Sequence, residues 1–165
     1  MEFLHDGLPV RPMKTTPIKT EFKEPEIKVQ KNLSQILLSM MQRLNITGFE
    51  FVSKQYDHEV QANSVIKPLQ GKGKVNGETT VVKPIFNSSQ AVAISQGLYP
   101  SYSEIDCYQM AACCIDTAIR NLVAAGVNID KIALLDNFCW CSSNDPKRLY
   151  QLKKATKACY NFAKI

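Results

Sequence analysis

With 165 residues, 45% hydrophobic and 21% charged, the chain has the composition of one globular domain, or one domain plus a tail, and can bury a real core. No apolar run approaches the ~20 residues of a membrane span. The N-terminal MEFLHDGLPVRP lacks the charged-then-apolar order of a signal peptide, so a cytoplasmic protein with no membrane partner is expected. The net charge of +5 is spread out, except for Lys147, Arg148, Lys153, Lys154, Lys157 and Lys164 on the last helix. No aromatic stacking platform accompanies them, so this face reads as solvated and no nucleic-acid partner is expected.

Six cysteines suit free thiols in a reducing compartment. Neither the adjacent Cys113 and Cys114 nor Cys139-x-Cys141 has the spacing of a structural zinc site. The thiols therefore read as small, buried apolar groups.

In chain order, residues 1–30 contain Pro9, Pro12, Pro17 and Pro25 and read as an extended lead segment, because proline fixes φ and removes a ladder donor. Leu33, Ile36, Leu37, Met40, Met41 and Leu44 then fall on one stripe of a 3.6-residue period, which predicts a helix with Met40 and Met41 as core filler, ended between Asn45 and Gly48. Strands are expected over Phe49–Val52, Glu59–Lys67, Thr79–Phe86 and Gln90–Ser95, with a hairpin turn at Asn87-Ser88-Ser89. GKGKVNG, from Gly71 to Gly77, lacks the order of a phosphate-binding loop and reads as a hairpin tip.

The last third turns helical. Ser103 to Asp106 predicts an N-cap. The stripe Ile105, Tyr108, Ala112, Ile115, Ile119 and Leu122 follows, stopped by Gly126. Lys131–Leu135 reads as a buried strand. Asp145-Pro146 opens a final helix running to Ala163, with Leu149, Leu152, Ala155, Cys159 and Phe162 along one side. A strand-helix unit normally continues into another strand, so the chain reads as an internal fragment.

The run Ala133 to Cys141 carries the most chemistry. A buried strand that delivers Asp136 and Asn137 to its C-terminal tip is where α/β proteins often bind ligands. The ligand expected there is a metal-bound nucleotide phosphate, since a carboxylate meets a phosphate only through a cation. The alternative is that Asp136 merely caps the following loop. His58, in Tyr56-Asp57-His58-Glu59, titrates near neutrality but reads as structural, as does His5.

Four stretches in fixed order resemble one family. They are QYDHEVQANSVIKPLQGKG (Gln55 to Gly73), GLYPSYSEID (Gly97 to Asp106), AIRNLVAAG (Ala118 to Gly126) and ALLDNFCW (Ala133 to Trp140); FLHDGLP (Phe3 to Pro9) adds to them. Together they resemble the large, ATP-dependent synthetase subunit of phosphoribosylformylglycinamidine synthase, of the aminoimidazole ribonucleotide synthase-like superfamily.

The resemblance implies an α+β fold, a mixed or antiparallel sheet with helices packed on one face, like the β-rich N-terminal domain of that superfamily and incomplete at its C-terminus. Residues 1–30 would be a linker, and 31–165 part of the N-terminal domain of the second half. It implies ATP and Mg2+ as cofactors, nucleotide contacts at Asp136 and more weakly Asn137, and a metal-proximal amide at Asn121, which otherwise bonds locally. It places no catalytic residue here, since the family's catalytic histidine does not align with His58. The implied chemistry is ATP-driven conversion of formylglycinamide ribonucleotide to its amidine, with a glutaminase subunit and a small bridging subunit as partners, and this piece inactive alone. A non-catalytic interaction domain, self-associating through its β-rich face as a homodimer, is the second hypothesis. A thiol-rich metal module ranks last.

Overall fold

The computed structural model describes residues 5–7, 9–19, 21–46, 48–55, 59 and 61–164. Helices and small antiparallel sheets make it an α+β chain. It divides into two compact units. One comprises 1–22, 99–113 and 134–165; the other comprises 23–98 and 114–133.

The second unit holds the sheets. Helix α1 (Ser34–Met41) forms where the 3.6-residue stripe predicts it, yet it buries none of its residues, and Met41 is 62% exposed. Met40 and Met41 are therefore not core filler. The expected strand at Phe49–Val52 is instead a single helical turn, α2 (Glu50–Ser53). Local bonding overrides β propensity there: Val52 and Ser53 donate to the Phe49 carbonyl, and Lys54 pairs with Glu50 one turn back.

Strand β1 is only Ser64–Ile66, because the residues before it turn, with Ala62 donating to the Glu59 carbonyl and adopting a φ of 53°. Strands β2 (Leu69–Gln70) and β3 (Val75–Asn76) pair antiparallel around Gly71–Lys74, so GKGKVNG is a hairpin tip as read. Gly71 and Lys74 both take positive φ there. Strand β4 (Thr79–Val82) stops short of Phe86, since Pro84 offers no donor. Strand β5 is Val92–Ser95, and the order β1-β4-β5 is antiparallel throughout, with Thr79 opposite Ser95 and Val82 opposite Val92. Asn87 to Ser89 lie in the connection between β4 and β5.

The pleat sends Thr79 and Ser95 to one face and Val92 and Ile94 to the other. Thr79 is buried, whereas Val92 and Ile94 are 48% and 61% exposed. Where β5 ends, Gly97 lies directly against the backbone of Cys114, on the helix α3 (Cys107–Ala124). A Cβ on Gly97 would fall 2.7 Å from the Cys114 carbonyl carbon. The absent side chain is what lets strand exit and helix approach. Ile115 and Leu122, from the expected stripe, are buried in this unit. Gly126, at φ 88°, ends the helix.

The first unit holds the start of α3 and helix α4 (Pro146–Phe162). The cap of α3 is Asp106 rather than Ser103. Its Oδ1 accepts from the N–H groups of Tyr108 and Gln109, while Pro100–Glu104 forms a 3-10 turn. Asp145 caps α4 as expected, accepting from Lys147 and Arg148 N–H. Cys107, Ala111, Ala112, Ala155, Ala158 and Cys159 are buried, and the two alanines of α4 are wholly so. Thr16 N–H bonds to the Pro146 carbonyl at 3.0 Å, anchoring the extended lead segment at the head of α4.

Candidate functional site

The segment carrying Asp136 departs most from expectation. Residues 129–131 form a 3-10 turn, and 132–137 belong to neither helix nor strand. The backbone of 133–137 makes no hydrogen bond to another described residue, and Leu135 is 95% exposed. Lys131–Leu135 is therefore not a buried strand here. An apolar run becomes one only where a neighbouring strand supplies ladder partners, and among the described residues none does.

Asp136 and Asn137 are consequently displayed on an irregular, exposed segment rather than at a strand tip, and neither side chain is engaged by another described residue. A free carboxylate beside a free amide offers the hard oxygen donors that Mg2+ prefers. The loop downstream is held more firmly. Trp140 donates from Nε1 to the Arg148 carbonyl at 3.0 Å, and its ring meets Phe138 edge-on at 6.1 Å between centroids. Cys139 and Cys141, flanking that ring, are exposed, contrary to the reading of the thiols as uniformly buried; Cys107 and Cys159 are buried. No cluster of three metal-ligating side chains occurs among the described residues.

Asn121, in the sheet-bearing unit, lies on α3. Its Nδ2 is buried with no hydrogen-bond partner, as are Thr79 Oγ1 and Ser95 Oγ on facing strands. An amide N–H in that state is matched by an acceptor oxygen; a metal would need the Oδ1 side of the group. His58 lies outside the described residues. His5 is exposed at the N-terminus.

Two ionic groups had no motif to announce them. Lys154, on α4, donates to Asp106 Oδ2 while Asp106 caps α3, so one carboxylate ties two helices together. Partial burial pushes the Asp106 carboxyl up, but the Lys154 ammonium and the two backbone N–H groups outweigh it and hold the group below its usual range. Burial, with the Asp106 charge adding, pushes the neighbouring Cys107 thiol up. In the other unit, Glu50 accepts from both Lys54 and Lys74, the latter at 2.7 Å, and its carboxyl falls to about 2. Each pairing joins residues 24 or 48 positions apart, as Lys74 with Glu50 and Lys154 with Asp106, beyond any local pattern.

Comparison with known proteins adds the decisive observation. The chain is 31% identical over 144 residues to phosphoribosylformylglycinamidine synthase subunit PurL of Methanocaldococcus jannaschii, covering 84% of this chain and 18% of that protein. It is 29% identical over 153 residues to the PurL of Methanococcus aeolicus, 93% of this chain and 19% of the other. The PurL of Bartonella quintana is 28% identical over 156 residues, 93% and 20% respectively. The chain is a relative of PurL. It spans about a fifth of the length of the PurL proteins it matches. No family model matches it, and neither does any solved structure. Among the described residues, no helix is long and apolar enough to cross a membrane.

Proposed function

We propose that this chain forms part of an ATP-dependent ligase that converts formylglycinamide ribonucleotide to its amidine in purine biosynthesis, and that it is inactive alone. The similarity to PurL along nearly the whole chain carries the reading. The three-stranded sheet would correspond to the β-rich N-terminal domain of the aminoimidazole ribonucleotide synthase-like fold. ATP with Mg2+ supplies the activation of the formamide oxygen, and ammonia would come from a glutaminase subunit, with a small bridging subunit as the third component. Asp136, with Asn137 beside it, would hold the magnesium-bridged phosphates; the exposed, unengaged state of both side chains supports this. For Asn121 the role of a metal-proximal amide rests on the resemblance alone, and a metal there would be met by its Oδ1 rather than by the buried Nδ2.

Calorimetric titration with Mg-ATP tests the site. Binding in the millimolar range that is lost in Asp136→Ala is expected; unchanged binding in that variant refutes the assignment.

A second reading, a non-catalytic domain that self-associates, is favoured by the exposed apolar side chains Val92 and Ile94 on β5, at the edge of the sheet. Light scattering after size exclusion would show a homodimer if it holds, and a monomer at all concentrations if it does not.

A further inference from the structure

Two thiols flank the chain's single tryptophan, and the fold turns both outward. Exposure alternates along 138–142: Phe138, Trp140 and Ser142 are half-buried, whereas Cys139 and Cys141 are exposed. The edge-on contact of the Phe138 and Trp140 rings, 6.1 Å between centroids, sets residues two apart on one face. That is the alternation of extended chain, and it leaves the two thiols together on the opposite face. Two residues of such chain span about 6.6 Å. Disulfide-bonded Cα atoms stand roughly 4.4–6.8 Å apart, so the pair is within reach of closure.

The segment is anchored from its inner face. Trp140 Nε1 donates to the Arg148 carbonyl in the first turn of α4, which Asp145 caps. Both flanking thiols are free, while Cys107 and Cys159 of the same unit are buried. Burial, then the Asp106 charge and more weakly that of Cys141, push the Cys107 thiol up. A thiol kept protonated and out of solvent is a poor attacking group, so the chemistry falls to the exposed pair. No cluster of three metal-ligating side chains occurs among the described residues, which favours a disulfide over a closed metal site.

We infer that Cys139 and Cys141 form a reversible dithiol site whose oxidant is a small disulfide such as glutathione disulfide, with Trp140 holding both sulfurs on one face. One thiolate of the pair attacks a sulfur of the small disulfide; that S–S bond breaks, a small thiolate leaves and a mixed disulfide forms. The second thiolate then attacks the cysteine sulfur of the mixed disulfide and displaces the second small thiolate. Two cysteine thiols are thus oxidised to one disulfide, the small disulfide is reduced to two thiols, and the cysteine protons pass to them. An exposed bond near the outer limit of that span is of the labile, readily reduced kind.

The reduced full chain is equilibrated with mixtures of glutathione and glutathione disulfide, quenched by alkylation and mapped by mass spectrometry. A Cys139–Cys141 disulfide retaining no glutathione is expected, reopened by dithiothreitol. Cys139→Ser and Cys141→Ser should each stop at the mixed disulfide. Trp140→Phe keeps a ring against Phe138 but loses the bond to Arg148, so its closure equilibrium should fall about fivefold, the worth of one neutral hydrogen bond. Glutathione retained on both cysteines, or a disulfide mapped from Cys141 to Cys107, overturns the proposal. So does a Trp140→Phe chain that closes as readily as wild type, because spacing alone would then make the pair.

Discussion

Replacing Gly97 by alanine probes the closest approach in the sheet-bearing unit. The added Cβ would sit 2.7 Å from the Cys114 carbonyl carbon and 2.8 Å from its Cα, with the carbonyl oxygen nearer still. Ordinary contact begins near 3.4 Å, so the helix backbone must retreat by about 0.7 Å at the carbonyl carbon, and by more at the oxygen. Backbone within a hydrogen-bonded helix cannot swing aside as a side-chain tip does, so the strand exit and α3 must part. Overpacking of this kind costs about 1–3 kcal/mol. In a chain of this size each kcal/mol lowers the melting temperature by roughly 2–4 °C, giving a fall of roughly 2–12 °C. Thermal unfolding followed by circular dichroism measures it. Gly48→Ala is the control, because nothing lies within 4 Å of its Cβ position and its φ is not positive. A Gly97→Ala protein that melts with wild type refutes the reasoning, since the close approach would then be absent in solution.

Asp106→Ala removes both the cap of α3 and the partner of Lys154, and a loss of about 1–2 kcal/mol is expected in urea unfolding; Asp106→Asn should recover most of the cap. Both lowered carboxyls set the acid response. Glu50 and Asp106 contribute stability above their unfolded values near 4, and that contribution is lost as pH falls through the folded values, for Glu50 about 2. Melting temperature should therefore decline below pH ~4, and the decline should be shallower in a Glu50→Gln/Asp106→Asn protein; parallel curves would show that these pairs do not form. Under a thiol reagent, Cys139 and Cys141 should react first and Cys107 and Cys159 only on unfolding, and mass-mapped labelling of all four at one rate would contradict the burial.

Much of the local structure was legible from residue order. The helix at Ser34–Met41, the tip at Gly71–Lys74, the stop at Gly126 and the Asp145-Pro146 start each depend on groups within a few residues of one another. At Phe49–Val52 the β-prone side chains conceal a helical turn closed by the Glu50–Lys54 pair. Asp136 and Asn137 are expected from residue order at a strand tip, whereas they lie on an exposed, irregular segment, because a strand needs a pairing partner that residue order does not name.

The Asp145 cap, the Gly126 stop, the hairpin tip and the PurL-like motifs follow from the sequence by itself, because propensity, periodicity and motif order are properties of neighbouring residues. Tertiary structure alone decided that Asp106 also pairs with Lys154, that Gly97 touches Cys114, and that the apolar stripe of α1 stays exposed. It also left the backbone of 133–135 without a hydrogen bond to another described residue. Burial and pairing belong to two surfaces at once, and one stretch of sequence specifies only its own.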